Sequence, residues 1–170
     1  NATARVQTLE ITLDWAEASA GSLPTFRYFC PLWQETDAGT PWWITFNQDT
    51  YMSDLLNLMG GQNIFAERTR RYPLAADLGL AAAEPTAGRD TRYPRLSLSE
   101  IVAAKPEVIL LPDEPFAYDD SYRAQLNEWF ADTPAVSGGR IFCLDGKLIT
   151  WHGTWLAQAL RELPGVLAGI

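Results

Sequence analysis

The chain has 170 residues, 47% of them apolar and 12% aromatic, which is enough to build the core of one α/β domain. Its 21 acidic residues against 13 basic ones give a formal charge of −8. The only basic cluster, Arg68, Arg70 and Arg71, is too short to track a phosphate backbone, so nucleic acid and anionic membrane surfaces are poor partners; no apolar stretch approaches the roughly 20 residues that span a bilayer.

In chain order, Asn1-Ala2 reads as the remnant of a cleaved tag on an excised domain, with no signal-peptide core in the chain. Ala4 to about Ala20 is expected to be helical, with Val6, Leu9 and Leu13 on one stripe, Ile11 and Trp15 beside it, and Gly21 and Pro24 ending it. A strand follows at Phe26 to Leu32. Gln34 to Thr40 is polar and glycine-containing, and Pro41-Trp42-Trp43-Ile44-Thr45-Phe46 is an aromatic patch in a loop position. Thr50 is the expected N-cap of a helix with Asp54 in its first turn and Met52, Leu55, Leu56 and Met59 at helical spacing; Gly60-Gly61 stops it before an extended Asn63-Ile64-Phe65.

Ala66 to Arg95 carries six arginines and three prolines without periodicity and is expected to wrap the surface as an ordered insertion. Ser97 and Glu100 form an S-x-x-E capping box for a helix that stops before Pro106. Val108 to Leu111 is a continuous apolar strand of the kind buried on both faces of a parallel sheet. A helix at Ser121 to Phe130, a strand at Ile141 to Leu144 and a closing helix at Thr154 to Leu163 complete an alternation that specifies an α/β fold with a doubly wound, mainly parallel sheet.

The chemistry-bearing residues are few. Cys30 and Cys143 sit in expected strands and read as two buried free thiols, and with one histidine, His152, no metal site is expected. There is no G-x-S-x-G elbow, no G-x-G-x-x-G and no Walker sequence. Asp113-Glu114 and Asp119-Asp120 read as a solvated loop and a helix cap rather than an acid/base pair. His152 lies in a loop between a strand end and a helix, where α/β sheets form their ligand crevice. Of the aromatic residues, Trp155 is expected in the core, whereas Trp42, Trp43 and Trp151 precede helices in loops and would suit a flat, bulky, partly apolar ligand.

One ordered set of motifs spans nearly the whole chain: Pro41-Trp42-Trp43, Asp49-Thr50-Tyr51, Gly60-Gly61-Gln62-Asn63-Ile64-Phe65, Tyr93-Pro94-Arg95-Leu96-Ser97, Lys105-Pro106 through Pro112, and Asp145-Gly146 followed by Trp151-His152-Gly153. In these the chain resembles the C-terminal lobe of the periplasmic substrate-binding proteins with a helical backbone, which deliver vitamin B12, haem and iron-siderophore complexes to ABC importers. The resemblance implies a Rossmann-like lobe over residues 24–170, part of the long inter-lobe helix over residues 3–23, and an N-terminal lobe missing from this chain. It implies a non-enzymatic, periplasmic or otherwise extracytoplasmic protein without a cofactor, binding a metal chelate or corrinoid and partnered by ABC permease subunits. By position the resemblance implies Trp43, Ile44, Tyr93 and Trp151 as ligand contacts, and Trp42 and His152 join them as expected contacts from their loop positions. The position of the family's permease-docking glutamate is Ser99 here, with Glu100 next to it. The alternatives are an enzyme built on the same sheet and using His152, as a hydrolase or chelate-modifying protein, and a sensor or adaptor lobe without transport.

Overall fold

The computed structural model describes residues 6, 7, 10–14, 18, 24–37 and 39–169. Strands β1 (Phe26–Phe29), β4 (Gly61–Asn63), β6 (Val108–Pro112) and β7 (Ile141–Leu144) form a four-stranded sheet in the order β4-β1-β6-β7, parallel throughout. Both faces of this sheet are covered, and the period-two alternation of its strands sorts the side chains between them. Phe26, Tyr28, Val108, Leu110 and Leu144 belong to one core, with Leu55 and Leu56 of helix α1 (Tyr51–Leu58). Phe29, Ile109, Leu111 and Ile141 belong to the other. That is the doubly wound, mainly parallel α/β sheet expected from the sequence.

The second core is roofed by an element the sequence reading missed. Strands β2 (Trp33–Asp37), β3 (Thr40–Ile44) and β5 (Arg95–Ser97) make a separate antiparallel sheet in the order β2-β3-β5. Gln34 to Thr40 and Trp42-Trp43 are therefore a hairpin, not loops. Its turn uses Gly39 at φ 83°. The hairpin was hard to read because β2 is largely exposed, so its alternation carries almost no apolar signal.

Helix α1 forms as expected. Thr50 Oγ1 accepts the Ser53 N–H at 3.3 Å. The double glycine divides two tasks: Gly60 takes φ 85°, while a Cβ on Gly61 would stand 2.9 Å from the Leu56 carbonyl oxygen and 3.0 Å from the Tyr28 ring. The strand then begins at Gly61 itself, earlier than Asn63. Helices α4 (Asp120–Trp129) and α5 (Pro134–Ser137) lie between β6 and β7. After β7 come a short helix α6 (Lys147–Thr150), a single 3₁₀ turn (Gly153–Trp155) and the closing helix α7 (Leu156–Leu167), which buries Ala159, Leu160 and Leu163. Of the expected opening helix, residues 6, 7, 10–14 and 18 are helical and Leu13 rests on the first core; the rest, including Leu9 and Trp15, lies outside the described residues.

The two cysteines differ. Cys30 is buried, which pushes its thiol pKa up, but Cys143 is exposed because β7 is the edge of the sheet. Both are free.

The long insertion at 66–95 contains one short helix, α2 (Leu74–Asp77), and is anchored by that helix's last residue. Asp77 is 0% exposed. Its Oδ1 accepts from Arg68 Nη1 and the Arg71 N–H, and its Oδ2 from the N–H and Nε of Arg95, all at 2.9 Å. Arg68 Nε reaches Glu100 Oε1 at 2.7 Å, so Glu100, at the third position of helix α3 (Leu98–Ala104), spends its carboxylate on the insertion and not on the reciprocal half of the capping box. The other half stands, since Ser97 Oγ accepts the Glu100 N–H at 3.3 Å.

Asp77→Ala would leave two arginines without their buried counter-charge, and is expected to cost about 3–5 kcal/mol. Urea unfolding measures it directly.

Candidate functional site

From β1 the chain moves to β4 on one side and later crosses to β6 on the other, so the strand order reverses between β1 and β6. In open α/β sheets, the crevice at the carboxyl ends of the strands at such a reversal is where ligands bind. A hollow of about 420 Å³ lies there, lined by Leu32 after β1, Glu114 and Pro115 after β6, Met52 of α1, Tyr93, Thr150 and Trp151. Two other hollows are less suited. One, of about 320 Å³ around Pro24, Phe26, Met59 and Leu167, adjoins the opposite end of the sheet; another, of about 550 Å³, is walled by polar side chains such as Gln48, Asp49, Asp54 and Asn57.

Each wall of the crevice is held from outside it. The Tyr93 segment is stitched to the end of β3 by Thr45 N–H to the Pro94 carbonyl at 3.1 Å and Asn47 N–H to the Arg92 carbonyl at 2.9 Å. Arg92 sits over the Tyr93 ring at 5.6 Å, while Asp90 takes its Nε at 3.0 Å and Nη2 at 2.8 Å. Those hydrogen bonds hold the Asp90 carboxyl at a pKa of about 2. Trp151 is 47% exposed, with its ring edge-on to Trp155 at 5.5 Å. Trp155 is only half-buried, so it supports Trp151 instead of filling the core as expected. Trp33, 39% exposed, stands beside Leu32 and meets Phe116, next to Pro115, edge-on at 5.4 Å.

The expected contacts are only partly brought together. Tyr93 and Trp151 line the hollow. His152 is exposed just beyond it, its ring 5.7 Å from Tyr51, and no described residue hydrogen-bonds to it. Trp43 is corrected: it is 0% exposed, packed on Phe130 at 5.2 Å and Trp129 at 5.5 Å, with its indole N–H donated to Gln34 at 3.1 Å. Strand alternation sends it inward. Trp42 and Ile44 point to the opposite side of β3, half-buried, and neither lines the hollow. Of the expected docking pair, Glu100 is engaged by Arg68, and Ser99 is exposed with its hydroxyl 3.0 Å from that of Ser97.

Leu32, Met52, Glu114, Pro115 and Thr150 were missed as lining residues. The signal was present for three of them, since Leu32 follows β1, and Glu114 and Pro115 follow β6, within three residues. The other two come from helices whose approach to the crevice is set by packing.

No family model and no curated protein matches this chain. Solved structures do match in fold. The periplasmic vitamin B12 binding protein BtuF of Vibrio cholerae is 21% identical over 94% of this chain and 50% of its own, with a TM-score of 0.59. The periplasmic heme-binding protein RhuT from Roseiflexus sp. RS-1 is 20% identical over 96% of this chain and 54% of its own, with a TM-score of 0.65. The periplasmic heme binding protein HutB of Vibrio cholerae is 17% identical over 97% and 57%, with a TM-score of 0.62. The chain spans about half the length of each, and it shares their fold over that half.

Two outcomes follow from this geometry. Trp43→Ala should cost about 3–5 kcal/mol in chemical unfolding, because it empties a packed site, while Trp151→Ala should stay within about 1 kcal/mol. An NMR pH titration should place the Asp90 carboxyl at about 2. Since this folded value is depressed, the stability from the Asp90–Arg92 contact is present above the ordinary carboxylate value near 4 and is lost as pH falls toward about 2.

Proposed function

We propose that the chain is the C-terminal lobe of an extracytoplasmic solute-binding protein of an ABC importer, and that the hollow between β1 and β6 is its half of a cleft for a metal chelate or tetrapyrrole-like solute such as cobalamin, haem or an iron-siderophore. The observation that carries this reading is the presence of two aromatic side chains, Tyr93 and Trp151, in the lining of a hollow at the topological reversal of the sheet. Binding energy comes from stacking and apolar burial on these rings, and closure of a second lobe excludes water. The likeness to half of several periplasmic B12- and haem-binding proteins supports it.

In this reading residues 24–170 are the lobe, residues 3–23 belong to the helix joining it to an N-terminal lobe, and the protein is not an enzyme. His152 has Tyr51 beside it and no carboxylate partner among the described residues, which leaves the hydrolase alternative without its base-orienting group. Permease subunits dock on the exposed surface around Ser99, because the Glu100 carboxylate is already engaged by Arg68.

The test is the full reading frame, expected to encode a matching first lobe, followed by equilibrium titration of the full-length protein with cobalamin, haemin and a ferric siderophore. At least one should bind, and the isolated 170-residue chain should bind it at least about 100-fold more weakly, because half of the contacts are gone. Trp151→Ala should weaken binding by about tenfold. Equal affinity of the isolated chain would sink the two-lobed cleft. A turnover lost in His152→Ala with binding intact would establish the enzyme instead.

A further inference from the structure

Among the described residues lining the hollow, Glu114 alone carries a charge; around it stand Leu32, Met52, Pro115, Tyr93 and Trp151. Its carboxylate is held in place. Asp113 Oδ1 accepts the Gly146 N–H at 2.7 Å, and a Cβ on Gly146 would stand 2.7 Å from both Cγ and the carbonyl oxygen of Glu114, so the loops after β6 and β7 are pressed together with no room for a side chain between them. The Thr150 hydroxyl lies 3.2 Å from Glu114 Oε1 and 2.8 Å from the Gly146 carbonyl oxygen, so its single proton is shared between the two. No described residue hydrogen-bonds to Oε2, none of the ion pairs among the described residues involves Glu114, and Arg92, next to Tyr93, is bound by Asp90. A solvated carboxylate tolerates this. One enclosed against an apolar ligand face does not, because an anion stripped of water without a donor is costly.

We infer that the solute presents a hydrogen-bond donor or a positive charge to Glu114: its class is an apolar-faced chelate whose rim bears amide N–H or amine groups, not one that must place a carboxylate in this hollow. This rests on the proposed binding function. It also gives Gly146 and Thr150 a purpose beyond the fold, as the residues that aim the carboxylate.

The probes are cyanocobalamin, whose rim carries carboxamides, and haemin, whose rim carries two carboxylates, each titrated into the full-length protein by tryptophan quenching. Cyanocobalamin should bind the unsubstituted protein more tightly. Glu114→Ala should weaken it about tenfold, and Glu114→Gln, which keeps an acceptor and the shape, by no more than about threefold. Glu114→Lys should invert the preference toward haemin, with thermal unfolding of each variant confirming that the fold is intact. If both probes bind but their affinity ratio stays within about twofold between the Glu114→Lys and unsubstituted proteins, or if the unsubstituted protein prefers haemin, the inference is wrong while the binding function stands. If neither probe nor a siderophore binds any form, the binding function falls, and the inference with it.

Discussion

The arrangement of this molecule depends on one buried carboxylate. Asp77 has two oxygens and four donors, two on each, drawn from Arg68, Arg71 and Arg95. Burying an anion is unfavourable unless its hydrogen-bonding capacity is met by positive or polar partners, and here the partners come from both ends of a segment with almost no regular structure. The insertion is thereby closed on itself and tied to β5, which pairs with β3 and completes the roof over the second core. Arg68 extends the tie to α3 through Glu100; burial works to lower its pKa, but the two carboxylates outweigh that and leave it raised.

That tie reaches the crevice. Arg95 is two residues from Tyr93, so the network that fixes β5 also fixes where the tyrosine ring enters the hollow. The other walls are positioned by different means: Leu32 by the end of a buried strand, Glu114 by close contact with a glycine, and Trp151 by the end of helix α6 and an edge-on neighbour. Rigid elements on every side surround a surface that carries exposed aromatic rings, the combination expected of a preformed binding wall. Leaving Trp151 and Trp33 partly exposed costs solubility and gains nothing in folding, which is why their placement beside the crevice is informative.

Much of this was legible from residues alone. The apolar run Val108 to Leu111 could only be a doubly buried strand, and Thr50 with Gly60-Gly61 marked both ends of α1. The antiparallel sheet was not legible, because β2 faces solvent and β5 is three residues long, too short for any period to emerge. Trp42-Trp43 was misread for the same reason: once the pair lies in a strand, alternation must bury one ring and turn the other away, so two adjacent tryptophans cannot both face a ligand. Glu100 shows the limit of a local motif. The capping box predicts its backbone contact correctly, but its side chain was claimed by an arginine 32 residues away.

The sequence by itself determined the fold class, the doubly wound sheet and the general location of the crevice, because periodicity, capping and glycine stops act within a few residues of the chain. The tertiary structure alone decided which aromatic residues face that crevice, that Asp77 anchors the insertion, and that the Glu114 carboxylate lines the hollow. Each of these depends on segments distant in sequence meeting in space, and no local pattern specifies which partner a side chain will find there.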